Sequence, residues 1–231
     1  MARWRDIVEK ANDRIYNTYR RTFGSYSLDD PRPYAKESPY TFFLPSQMEL
    51  DNIAIGDDVK LIFRGRPKSR KYGAERMWVQ VTVISQTALE GILKNHPSDM
   101  PQIKPGDRVQ FQRFHVAATD KIVEGAPQVR DYWDRCLVDR CVIDDCALVH
   151  FLYREEPDMA QEGDTYPDSG WRIRGDYRGL TDAEINARRM EYVALGLVLN
   201  ADDSWLHLID EPIGARFIRD FKTGGFVPES P

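Results

Sequence analysis

One nine-residue pattern occurs twice in this chain, and it constrains the fold more than any other feature. Ile53-Ala-Ile-Gly-Asp-Asp-Val-Lys-Leu61 recurs as Ile103-Lys-Pro-Gly-Asp-Arg-Val-Gln-Phe111. In each copy Gly-Asp is turn chemistry: glycine reaches backbone angles closed to other residues, and aspartate accepts bonds from nearby amides. Each turn feeds a strand whose alternate residues are apolar, so one face is buried and the other is wet. Between the copies, Arg76-Met-Trp-Val-Gln-Val-Thr-Val-Ile84 predicts a strand, and Ala88 to Lys94 a further one. Trp78 is expected in the core beside Val79 and Val81. From Thr41 to about Thr119 the pattern predicts a small, strongly curved β-sheet or barrel, with one helix at Pro45 to Asn52 before it.

The first 23 residues predict an amphipathic helix. Trp4, Val8, Ala11, Ile15, Tyr19 and Phe23 share one face. Elsewhere Arg3, Arg5, Lys10, Arg14, Arg20 and Arg21 outnumber Asp6, Glu9 and Asp13, a local balance of +3. A basic amphipathic helix can lie on a membrane or on nucleic acid. Packing on its own domain or on a sister subunit is the expected arrangement. Gly24 ends the helix, and Pro31, Pro33, Pro39 and Pro45 predict a connector without regular structure. The loop from Arg64 to Arg76 holds six bases against Glu75 and reads as a solvated hairpin tip.

Gly125 and Pro127 break the pattern, so the expected division is 1–40 (helix and connector), 41–119 (β-rich), 120–134 (linker) and 135–231. The last segment predicts strands at Cys136–Ile143, Cys146–Tyr153, Leu195–Leu199 and Ala215–Phe221. A capping box at Thr181-Asp-Ala-Glu184 starts a helix to about Tyr192. The fold class is α+β: N-terminal helix, small curved sheet or barrel, then a second α+β module with a mainly antiparallel sheet.

A chain of 231 residues can bury a core without disulfides or metals. No apolar run approaches the length of a membrane span, and charges at the start do not suit a signal peptide. A cytoplasmic location is expected. The three cysteines, Cys136, Cys141 and Cys146, are odd in number and five apart, which fits buried reduced thiols better than zinc spacing. His96, His115, His150 and His207 are isolated. There is no phosphate-cradling loop, dinucleotide fingerprint or nucleophile elbow. No catalytic residue, metal or cofactor is therefore expected.

One cluster does attract notice. From Asp139 to Asp168 there are nine acids and two bases, and Tyr153-Arg-Glu-Glu-Pro157 is followed by Asp168-Ser-Gly-Trp-Arg172. Two guanidinium groups and several carboxylates around an indole form either a rim that holds a partner or an internal network that pins the loop. Arg154, Glu155, Asp168, Ser169, Trp171 and Arg172 are the predicted partner-binding residues. The expected partner is a protein, with no membrane and no nucleic acid.

These motifs, with Cys141, Gly175-Asp176 and Pro212-x-Gly-Ala-x-Phe217-x-Arg219, resemble the immunity protein 33 domain over roughly residues 135 to 228. That bacterial family is associated with polymorphic toxin systems, so the resemblance implies a non-catalytic protein that neutralises a toxin. Long polar inserts after Pro157 and Gly175 depart from its pattern. Met77-Trp-Val-x-Val81, Gly91-x-Leu-x-Asn95-x-Pro97 and Gly106-Asp-x-Val-x-Phe111 resemble the bacterial domain of unknown function 2314, over about residues 40 to 115. Here Thr119-Asp-Lys121 stands where that family often has Asp-Trp. An alternative role is small-molecule or nucleic-acid sensing by the first module, through Trp78 and the Arg64–Arg76 loop.

Overall fold

The computed structural model describes residues 2–159 and 162–229, with side chains from Lys10 onward. It divides into two units, residues 1–36 with 43–128, and residues 37–42 with 129–231. Among the described residues no helix is long and apolar enough to cross a membrane.

The first unit opens with α1 (Ala2–Phe23), β1 (Ser25–Leu28), α2 (Arg32–Glu37) and α3 (Gln47–Asp51). The proline-rich connector thus holds one strand and one short helix. The helix expected near Pro45 is α3, started by a reciprocal cap between Ser46 and Glu49. Then come β2 (Asp58–Arg66), β3 (Glu75–Ile84), β4 (Leu89–Leu93), β5 (Arg108–Phe111) and β6 (Val116–Thr119). Strands β1 to β5 pair in chain order, and β6 folds back onto β2, so the antiparallel sheet is nearly closed. Val59, Leu61, Phe63, Met77, Val79, Val81, Leu89, Leu93, Val109 and Phe111 fill its interior. Each such side chain contributes about 1.5–3 kcal/mol by leaving water.

Both copies of the repeat form the same turn. Gly56 and Gly106 have φ of +99° and +90°. The Ala54 amide donates to Asp57 Oδ2 at 2.7 Å and the Lys104 amide to Asp107 Oδ2 at 2.9 Å. The Gly56 amide bonds the Val81 carbonyl at 2.8 Å and the Gly106 amide the Leu93 carbonyl at 2.9 Å. Each turn therefore latches its strand to a neighbour. Trp78 departs from expectation. Strand alternation sends Met77 and Val79 inward and leaves Trp78 half-buried outside, with the Lys60 ammonium 4.3 Å from its ring centre.

The helix α1 packs on its own unit by its polar face. Arg20 is buried, 3.3 Å from Asp99, and donates to the Asp99 carbonyl at 2.5 Å. Tyr16 donates to the Lys68 carbonyl at 2.9 Å, and Arg70 pairs with Asp13 at 3.0 Å. Ile15, Tyr19 and Phe23, on the apolar face, stand 70%, 51% and 75% exposed. Trp4 and Val8 of that face lie outside the described side chains.

In the second unit the elements are β7 (Arg135–Asp139), α4 (Arg140–Asp144), β8 (Val149–Arg154), β9 (Asp168–Gly175), α5 (Asp182–Asn186), β10 (Met190–Ala194), α6 (Leu195–Ala201), β11 (Arg216–Arg219) and β12 (Phe226–Pro228). The sheet runs β10-β7-β9-β8-β11-β12, with β7 and β9 parallel and the other pairs antiparallel. Three expected elements differ. The helix begun at Thr181 ends at Asn186, and the residues expected to carry it to Tyr192 lead into β10, which pairs with β7. The first strand stops at Asp139 and continues as α4, so β7 and β8 flank β9 instead of forming a hairpin. Leu195–Leu199 is helical because Leu195, Val198 and Leu199 bury one helical face, while Leu197 points out. Gly196 is required there, since a Cβ would collide with the Tyr40 carbonyl. Tyr40 and Thr41 are held by Asn200, which accepts from the Tyr40 amide at 3.0 Å and donates to Thr41 Oγ1 at 2.7 Å.

Candidate functional site

Strand β9 is the covered strand of the second sheet, and it supplies most of the predicted cluster. Asp168, Ser169, Trp171 and Arg172 are all buried, so they present no surface to a partner. The Trp171 indole meets Trp205 edge-on at 5.8 Å and donates to the Ile209 carbonyl at 3.1 Å. Ser169 donates to the Arg135 carbonyl at 2.7 Å. Arg154 lies at the margin, its guanidinium 5.8 Å from the Trp171 ring centre. It donates to the carbonyls of Ser169 and Glu211 at 2.9 and 2.8 Å. Glu155 is half-exposed.

Arg172 organises the group. Its Nη1 and Nη2 reach Asp168 at 3.0 and 2.9 Å, a two-pronged buried pair. The same guanidinium extends to Glu155 at 2.5 Å and to Asp158 at 2.9 Å, the latter 73% exposed. Asp168 also accepts from the amides of Gly170 at 3.0 Å and of Asp158 and Met159 at 3.2 Å. Burial pushes its carboxyl up, but Arg172 and the Gly170 and Met159 amides outweigh burial and hold it below the usual carboxylate range. The pair therefore pins both ends of the loop between β8 and β9.

That loop carries Glu155, Glu156, Asp158, Glu162 and Asp164. Glu156, Asp158 and Glu162 are exposed. Asp158 was not singled out by sequence, because nothing in its spacing separates it from Glu156; only the path of the loop brings it to Arg172.

Two further buried carboxylates follow the same rule. Asp139 accepts from the Gly175 amide at 3.0 Å and lies 3.3 and 3.2 Å from Arg174 and Arg188. Asp202 pairs with Arg219 at 2.5 Å and accepts from the Val149 amide at 2.8 Å. These are ties within the fold, and they withdraw Asp139 and Asp168 from the acidic run at the surface.

Among the described residues no group of three or more His, Cys, Asp or Glu is placed to hold a metal ion. Cys136 is buried, and burial pushes its thiol up, away from a reactive thiolate. His150 is buried against Tyr177, ring centres 3.9 Å apart, and accepts from the Tyr177 amide at 3.3 Å. In the first unit, Arg64 of the basic loop is committed to Asp29 at 2.6 Å.

The residues that carry the family motif close local contacts. A Cβ at Gly170, whose φ is +80°, would strike the Glu155 carbonyl, and one at Gly175 would come within 2.8 Å of Cys141 Sγ. The Gly214 amide bonds the Arg154 carbonyl at 2.7 Å, and the Arg154 amide bonds the Ala215 carbonyl at 2.9 Å. Tyr-Arg and Pro-x-Gly-Ala are thus the two sides of one junction.

Residues 136–228 match the Immunity protein Imm33 domain. Residues 35–126 match the domain of unknown function 2314, described as an uncharacterized protein conserved in bacteria. No curated protein and no solved structure matches the chain significantly. The Imm33 match supports an immunity-type protein. In the Imm33-like half, the motif cysteine, glycines and Arg–Asp pair build a scaffold under the acidic loop.

Proposed function

We propose that the Imm33-like unit neutralises a toxin protein by binding it in the cytoplasm, without catalysis. The contact surface is the acidic loop Glu155–Asp164, not the buried residues beneath it. The Imm33 match carries this proposal. Charge and pre-organisation support it. Residues 129–231 hold 21 acids against 12 bases, and the Arg172–Asp168 pair ties Glu155, Asp158 and Met159 of the loop to β9. A pre-ordered anionic surface steers a basic partner in quickly and loses less entropy on docking than a floppy one. Such a partner would cover Glu156, Asp158 and Glu162 with arginines or lysines of its own.

The test is growth rescue. The full chain is co-expressed with candidate toxins encoded beside its gene. Rescue by the wild type, lost on Glu156→Lys/Asp158→Lys/Glu162→Lys with the protein still folded, is the expected result. No rescue of any such toxin, or rescue unaffected by charge reversal, would overturn the proposal.

A further inference from the structure

The first unit turns the wrong side of α1 inward. Its polar face is anchored through Arg20, Tyr16 and Asp13, while the ridge Ala11, Ile15, Tyr19 and Phe23 faces away from the unit. Tyr19 and Phe23 sit one turn apart, ring centres 5.6 Å from each other, and contribute an aromatic edge to that ridge. Trp4 and Val8 extend the same spacing in sequence. Leaving such side chains in water forgoes burial that the unit's own sheet does not supply.

One flank of the ridge is basic. Helical spacing sets exposed Lys10, Arg14 and Arg21 along one side. The Arg64–Arg76 segment meets the inward face instead, through the Tyr16–Lys68 bond and through Arg70, which pairs with Asp13 and stacks 4.2 Å from the Tyr16 ring centre. The helix carries +3, in a chain whose net charge is −5.

We infer that α1 is a membrane-surface anchor: its apolar ridge enters the headgroup region of an anionic bilayer while the flanking lysines and arginines meet lipid phosphates. An exposed apolar stripe on a strongly charged helix of low overall hydrophobicity is the pattern of helices that lie in that interface. Charge decides among the occupants. Two copies meeting ridge to ridge would bring two basic surfaces together, which is repulsive. Nucleic acid would satisfy the charge but leave Ile15 and Phe23 against phosphates. An anionic bilayer satisfies both halves of the surface. Such a helix lies on the membrane without crossing it, and it uses only residues of the first unit, so it stands apart from toxin binding.

The full chain is sedimented with vesicles of phosphatidylcholine alone and of equal parts phosphatidylcholine and phosphatidylserine, at low and high salt. Binding to the anionic vesicles only, weakened by salt, is expected. Lys10→Glu/Arg14→Glu should weaken it roughly fivefold or more for each charge removed. Ile15→Glu/Phe23→Glu should abolish it with Tm unchanged, since neither side chain packs on the unit. Failure to sediment with anionic vesicles, or sedimentation that persists in Ile15→Glu/Phe23→Glu, would overturn the inference. So would a wild-type dimer in ultracentrifugation that the same substitutions dissociate, which would assign the ridge to a second copy. Retention of duplex DNA without vesicle binding would assign the basic flank to nucleic acid, and would equally overturn it.

Discussion

Replacing Arg172 by methionine isolates the pair on which the acidic loop rests. The substitution keeps a long apolar stem but removes both contacts to Asp168, together with those to Glu155 and Asp158. Asp168, with a side chain only 2% exposed, then has no counter-charge. Breaking a buried pair from one side costs about 3–5 kcal/mol. Three amide bonds still serve the carboxylate, so the lower end, about 3 kcal/mol, applies. In a unit of this size each kcal/mol moves Tm by about 4 °C or more, so the transition of the second unit should fall by at least about 10 °C.

The loss should also depend on pH. In the wild type, Asp168 has a folded pKa below its unfolded value. Its contribution is full above that unfolded value, near ~4, and is lost as pH falls through the folded one. In the methionine variant, burial without the guanidinium raises the carboxyl instead, and the folded variant gains by taking up a proton. The gap between the two proteins therefore narrows from neutral pH towards ~4. Scanning calorimetry of both proteins across that range is the assay. A drop of less than about 3 °C at neutral pH, or a gap independent of pH, would refute the reasoning.

Four other substitutions probe separate parts of the account. Gly170→Ala puts a side chain at φ +80° against the Glu155 carbonyl and should cost about 2 kcal/mol or more in urea unfolding; a wild-type midpoint would contradict that contact. Asp107→Ala should cost about 1 kcal/mol by the same assay, through one turn bond. Asp57→Ala should cost more, because Asp57 also holds Lys121 at 2.9 Å; equal losses would show that the second tie contributes nothing. Burial, joined by Arg178, Arg219 and Arg188 against the opposing pull of Asp176, holds His150 below the usual imidazole range. The unfolded chain then binds a proton more readily, so stability is lost as pH falls below about 6.5, and His150→Gln should flatten that slope. An unchanged slope in the variant would remove His150 as its source.

What could be read from residues alone was local chemistry. The two Gly-Asp turns, the Thr181 cap and the extent of α1 are each decided by local residues, and the structure has them. What could not be read was which of two faces meets the rest of the protein. Helical spacing separates the Ile15 face of α1 from the Arg20 face, but Asp99, far along the chain, selects the latter. In the second unit, Leu-Gly-Leu-Val-Leu is apolar enough for a strand or a helix. The choice depends on the Tyr40 carbonyl, some 150 residues earlier, lying against Gly196. The Arg172 cluster was legible as a set of interacting charges. Its placement indoors was not, because the groups that cover β9 come from both directions along the chain: Glu155 and Asp158 before it close over Arg172, and Trp205 after it packs on Trp171.

The most direct test of the central claim is the association rate between the full chain and the toxin encoded beside it, for the wild type and for Glu156→Gln/Asp158→Asn/Glu162→Gln. At low salt the triple variant should associate about tenfold more slowly, the difference fading as salt screens the charges while dissociation changes little. Equal association rates at low salt would place the toxin on another surface and contradict the account.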